Sequence, residues 1–120
     1  MRFAVEYACP GFEARDRAFP VGLAAQDEAG VHVRAVCQDP ERVARECKLP
    51  LGAITRWEAD ARSRAADPVW GPDGAPLDQR DPRWLERFAG ASMEAKFFWG
   101  PIREIVGTPE DAVALVRTEV

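Results

Sequence analysis

Histidine is nearly missing from this chain: His32 is the one imidazole in 120 residues. A two-histidine metal site within one chain is therefore excluded. A Ser–His–Asp or Cys–His relay would have to run through His32, with Ser63 and Ser92 as the available serines. Strand alternation in Val31-His-Val-Arg-Ala-Val-Cys37 places His32 with Arg34, opposite Val31 and Val33. That is an exposed or half-exposed strand position, not a catalytic one. Cysteine is scarce as well. Cys9, Cys37 and Cys47 are an odd number, 28 and 10 residues apart, with no CxxC spacing for zinc or a redox pair. No apolar run approaches the ~20 residues of a membrane span, and the apolar stretch in MRFAVEYACPG is too short for a secretory signal. The expectation is three reduced thiols in a cytosol, packed as small hydrophobes. Basic charge is not in excess: 16 Lys and Arg against 20 Asp and Glu give −4. Nothing draws the whole chain to nucleic acid or an anionic membrane. Gly71, Gly74 and Gly90 follow no phosphate-loop spacing, and no internal repeat is present.

What remains is ordinary globular composition, 47% apolar and 30% charged, in a length that suits a single domain over 1–120. Arg2–Cys9 alternates, with Phe3, Val5, Tyr7 and Cys9 on one face and Ala4, Glu6 and Ala8 on the other, predicting a half-buried strand. Residues 13–17 read as loop. Phe19–Gln26 and Val31–Gln38 read as strands joined by the hairpin loop Asp27-Glu-Ala-Gly30. Asp39-Pro40-Glu41 then starts a helix, which continues through Val43 and Cys47 until Leu49-Pro50 interrupts it. Leu51, Ile54, Trp57 and Ala61 predict one further helix to about Ala65. Residues 67–82 hold four prolines and two glycines without periodicity. They predict a long ordered loop, with Trp70 anchoring it to the core. Asp81-Pro82 opens a short helix, Arg83–Ala89. Met93–Trp99 and Ile102–Val106 read as strands, and Thr108-Pro-Glu-Asp111 as a capped helix start. The fold class is α+β: a small, mainly antiparallel sheet of three N-terminal strands plus one or two later ones, packed by three or four helices.

Two segments carry chemistry. Pro40–Arg64, PERVARECKLPLGAITRWEADARSR, has a small residue, Ala44, on its first helix. Val43, Cys47, Leu49, Ile54 and Trp57 occupy apolar positions facing a shared core, and Arg56-Trp57 ends the second helix. It resembles the helix-turn-helix of bacterial regulators and transposase-type DNA-binding domains over about twenty-five residues. Its six basic and four acidic residues make it locally positive. The resemblance implies DNA contacts by Arg45, Lys48, Thr55 and Arg56. Against this, Lys48 stands where the turn normally takes glycine, and Glu58 and Asp60 would repel a phosphate backbone. A helical hairpin packed on a sheet has the same apolar spacing. The second segment, Glu94-Ala95-Lys96 with Pro72-Asp73 at a distance, resembles the carboxylate and carboxylate-x-lysine arrangement of metal-dependent nucleases. Glu-x-Lys is also what a solvated strand face looks like. No convergent carboxylate pair is legible, and Asp27-Glu28 and Glu110-Asp111 read as turn and cap residues.

The sequence therefore predicts a small cytosolic, non-catalytic binding or regulatory domain. It needs no cofactor, metal or membrane, and its partner is an unidentified protein or small ligand. A DNA-binding regulator acting through 40–64 is the alternative, and a metal-dependent nuclease the remote one. Thiol titration of denatured protein purified without reductant should count three free groups. A Cys9–Cys37 bridge would overturn the compartment argument.

Overall fold

The computed structural model describes residues 1–90 and 94–119. Its five strands form one antiparallel sheet: β1 (Arg2–Ala8), β2 (Phe19–Asp27), β3 (Gly30–Ala35), β4 (Phe97–Trp99) and β5 (Arg103–Glu104). The order is β3-β2-β1-β4, and β5 pairs the start of β1 beyond β4. Among the described residues five α-helices complete the α+β fold: α1 (Pro40–Cys47), α2 (Leu51–Thr55), α3 (Trp57–Ala66), α4 (Pro82–Gly90) and α5 (Pro109–Thr118). Residues 13–17, expected as loop, fall within a 3-10 helix, Phe12–Arg17. Among the described residues no helix is long and apolar enough to cross a membrane.

The helix predicted over 51–65 is two helices. Arg56 leaves helical geometry (φ −97°, ψ 6°), while the buried face Ile54, Trp57, Ala61 and Ala65 runs on across the break. Periodicity therefore could not show the break. The late strands are shorter than predicted because β4 and β5 share one edge of β1, and Gly100-Pro101 turns the chain midway along it, with the Gly100 amide donating to the Val5 carbonyl at 2.8 Å. Proline cannot donate to a ladder. Glu94–Lys96 precede the strand because β1 ends at Ala8, beyond which the Cys9 amide donates to the Lys96 carbonyl, and Met93, its expected start, lies outside the described residues together with Ser92. The helix starts follow the sequence chemistry. Asp39 accepts from the Arg42 amide, and Thr108 and Asp111 form a reciprocal capping box.

β1 is not half-buried as alternation suggested. Phe3 and Val5, with Leu23 and Ala25 of β2, pack under Ala112 and Val116 of α5. On the opposite face Ala8, Ala24 and Val33 pack under α1–α4 through Val43, Cys47, Ile54, Trp57, Trp84 and Phe88. The second face was misread because its residues are small or charged. Ala4, Gly22 and Ala24 let helices approach closely, and Glu6 is 2% exposed.

Gly22 stands opposite Glu6 on β2. A Cβ on Gly22 would collide with the six-membered ring of Trp57, so the indole lies on bare backbone. Alanine in a strand is ordinarily no worse than glycine. Here Gly22→Ala should cost about 2–3 kcal/mol by overpacking, and Trp57→Ala about 3–5 kcal/mol by cavity formation. Urea unfolding of the double variant is the check: without the indole, Gly22→Ala should add almost nothing, and simple additivity would refute the contact.

Candidate functional site

Trp57, Asp60 and Arg64 are spaced three and four apart on α3, which puts them on one side of the helix. That side looks down on the middle of β1. The Trp57 indole N–H donates to Glu6 Oε1 at 2.7 Å, and Arg64 Nη2 stands 3.5 Å from the same oxygen. No described residue donates to Oε2. Burial pushes the Glu6 carboxyl above the ordinary carboxylate range, and the charge of Glu94 adds to the rise; the Trp57 and Arg64 contacts pull the other way.

The carboxyl lines a cavity of about 210 Å³ whose other walls include Ala53, Trp57, Asp60, Arg64, Glu94 and Phe97. Arg64 and Glu94 also line a larger cavity of about 560 Å³, which extends between the end of α3, α4 and the chain at 67–70. The Arg64 guanidinium lies 5.9 Å from the Phe88 ring centre. Behind the cleft, Trp99 stands opposite Glu6 on β4 and packs against Trp57 at 6.4 Å and Phe88 at 5.6 Å. Its Nε1 is buried without an acceptor among the described residues.

Trp70 is not the anchor predicted for the 67–82 loop. It is 55% exposed and forms part of the outer cavity wall. The loop is held by other groups. Leu77 and Gly71 amides donate to the Val69 and Ala75 carbonyls. Gln26, buried on β2, donates to the Gln79 and Asp81 carbonyls, and Gln79 to that of Ala65. With Val69 and Leu77 packed on the core, the tryptophan is free to face the cleft.

The residues implied by the helix-turn-helix resemblance lie elsewhere. Arg45, Lys48, Thr55 and Arg56 are all exposed, at the ends of α1 and α2. Lys48 adopts the left-handed conformation (φ 54°) that such a turn requires, and its carbonyl accepts from Lys96 Nζ at 2.9 Å. The Thr55 hydroxyl donates to the Leu51 carbonyl, and Arg56 folds over Gly52. Of the nuclease-like residues, Lys96 is thus engaged with main chain, and Asp73 accepts from the Ala75 amide in the loop. Glu94 alone reaches the cleft. His32 is half-buried and pairs with Asp27 at 2.9 Å. The three thiols are free, and burial pushes that of Cys47 up to about 11.

The sequence reading missed Glu6, Asp60 and Arg64, along with Arg87 in the wall of the outer cavity, and it saw no convergence of carboxyls where Glu6 and Glu94 share a cavity. One signal was available: a lone glutamate in the short apolar strand FAVEYA. Because burial holds its native carboxyl above the ordinary value of 4.5, the folded chain binds that proton more tightly than the unfolded chain. This contribution to stability is present below 4.5 and is lost as pH rises through the native value. Glu6→Gln keeps an acceptor for Trp57 and removes the buried charge. Its stability relative to the parent should rise from just below pH 4.5 toward neutrality in urea titrations, and a fall would contradict the shift. No family model, curated protein or solved structure matches the chain, and the residues of the cleft themselves carry the functional reading.

Proposed function

We propose that the protein is a non-catalytic binding domain that takes up a small molecule in the cleft beside Glu6. The observation that supports this most is the carboxyl itself: nearly inaccessible, with both protein contacts on Oε1, and lining a cavity. Oε2 accepts no hydrogen bond from the described residues, and a ligand donor in the cavity would bond it in place of water. The outer cavity has the volume usual for small-molecule sites, and its walls mix aromatic, aliphatic and charged groups as such sites do. The proposal includes a reducing, cytosolic compartment, for which the free thiols are the support.

Nucleic-acid binding through 40–64 is the second reading, favoured by the left-handed turn at Lys48 and the exposure of Arg45, Lys48, Thr55 and Arg56. It ranks lower because α2 spans only five residues before the break at Arg56, and Thr55 and Arg56 already contact their own helix.

Two experiments separate the readings. In a fragment mixture followed by indole N–H chemical shifts, Trp57 and Trp70 should respond, and a mixture that leaves both unmoved would refute small-molecule binding at the cleft. Random duplex DNA at about 100 mM salt should produce no mobility shift. A shift abolished by Arg56→Ala in a folded protein would reverse the ranking.

A further inference from the structure

Building on the binding reading, we infer that the cleft is selective for a small organic cation, an amidinium, guanidinium or primary ammonium group joined to a flat apolar body. The inner cavity is bordered by three carboxyls, Glu6, Asp60 and Glu94, against one cation, Arg64. A cation bound beside them favours the ionised form of these carboxyls, which accepts hydrogen bonds and donates none, so a head group with several N–H donors matches Oε2. Trp57 and Phe97 are in the same wall, and aromatic rings are better neighbours for a cation than for an anion. A volume of about 210 Å³ holds a head group and no more. The body must extend into the outer cavity, where Val69, Trp70 and Phe88 supply apolar surface. There Arg87 and Asp67 balance one another, and selection by charge falls to the inner end.

Other occupants fit less well. An anion would enter beside three carboxyls to reach one guanidinium that already faces Glu6 and Phe88. A bare metal ion needs ligands that converge. Among the described residues no three His, Cys, Asp or Glu side chains are grouped closely enough to hold one; the carboxyls are spread around the cavity. Spread acceptors suit a planar cation with several N–H groups.

The test uses three probes with one ring: benzamidine, benzyl alcohol and benzoate. Affinity is read by titration calorimetry and location by the Trp57 and Trp70 indole N–H signals. Benzamidine should move both signals and bind at least ~10-fold more tightly than either control, and the preference should shrink as salt rises. Glu6→Gln should weaken benzamidine by ~10-fold or more, and benzyl alcohol by a clearly smaller factor, because the bond lost to the amidinium is charge-assisted and that to the hydroxyl is not. Asp60→Asn and Glu94→Gln should each weaken it by a smaller factor, and they test the charge argument independently if Glu6→Gln does not fold. Benzyl alcohol or benzoate binding in the cleft as tightly as benzamidine would overturn the cation and leave the binding cleft standing. Unchanged benzamidine affinity in Glu6→Gln, or in both rim variants, would also overturn it. If all three probes are silent the cation falls. A silent fragment mixture would then remove the binding reading as well.

Discussion

The placement of Trp57 on bare backbone governs this structure. An indole needs room that strand side chains ordinarily fill. Gly22 leaves that room beside Glu6, and the indole N–H finds its acceptor there. One contact thus fixes how α3 lies on the sheet, by shape through the missing Cβ and by direction through the 2.7 Å hydrogen bond. Neighbouring elements adapt to it. The departure from helical dihedrals at Arg56 comes immediately before the indole, while Trp99 and Phe88 close around it in tilted and edge-on contacts.

The same contact explains how a carboxyl is tolerated at the centre of a sheet. Removing a charged group from water is expensive unless it is paired and hydrogen-bonded. The indole and the Arg64 guanidinium together offset part of that cost at Oε1, but burial still holds the carboxyl above its usual titration range. The cavity beside it is a consequence of packing. The small residues that admit helices on this face, Ala4, Ala8, Gly22 and Ala24, fill little space. Rings from α3 and β4, Trp57 and Phe97, stand in its wall with a gap between them.

The architecture was legible because its signals are local. Asp39-Pro40 and Thr108-Pro-Glu-Asp announced helix starts, Asp27–Gly30 announced a hairpin, and apolar periods of two and of three to four sorted strands from helices. The candidate site was not legible, for a related reason. Its parts lie on β1, α3, α4 and two irregular segments, and no spacing in the sequence joins Glu6 to Trp57 or Glu94. Glu6 misled further, since in a strand whose alternate positions are Ala4 and Ala8 a lone charge marks a solvated face. The sequence does not distinguish such a face from one buried under helices by small residues. Trp70 misled in the opposite sense: a tryptophan in a proline-rich loop suggests an anchor, but Val69, Leu77 and two glutamines hold that loop and leave the ring exposed.

The helix-turn-helix resemblance shows how one set of contacts supports two readings of a sequence. A small residue at a helix crossing, apolar positions three and four apart, and a left-handed residue in the turn are requirements of two short helices packed over a core, whatever the outer surface does. Ala44, Val43, Cys47, Ile54 and Lys48 meet all of them here. Their inner faces go to the sheet. A segment that serves DNA must also offer a continuous outer helix with free donors, and that is where this chain departs. α2 ends after five residues, and α3 restarts with a residue aimed inward. The break at Arg56 shortens a would-be recognition helix at the same place where it begins the helix that carries Trp57 to Glu6. The geometry that weakens the nucleic-acid reading is therefore the geometry that builds the cleft.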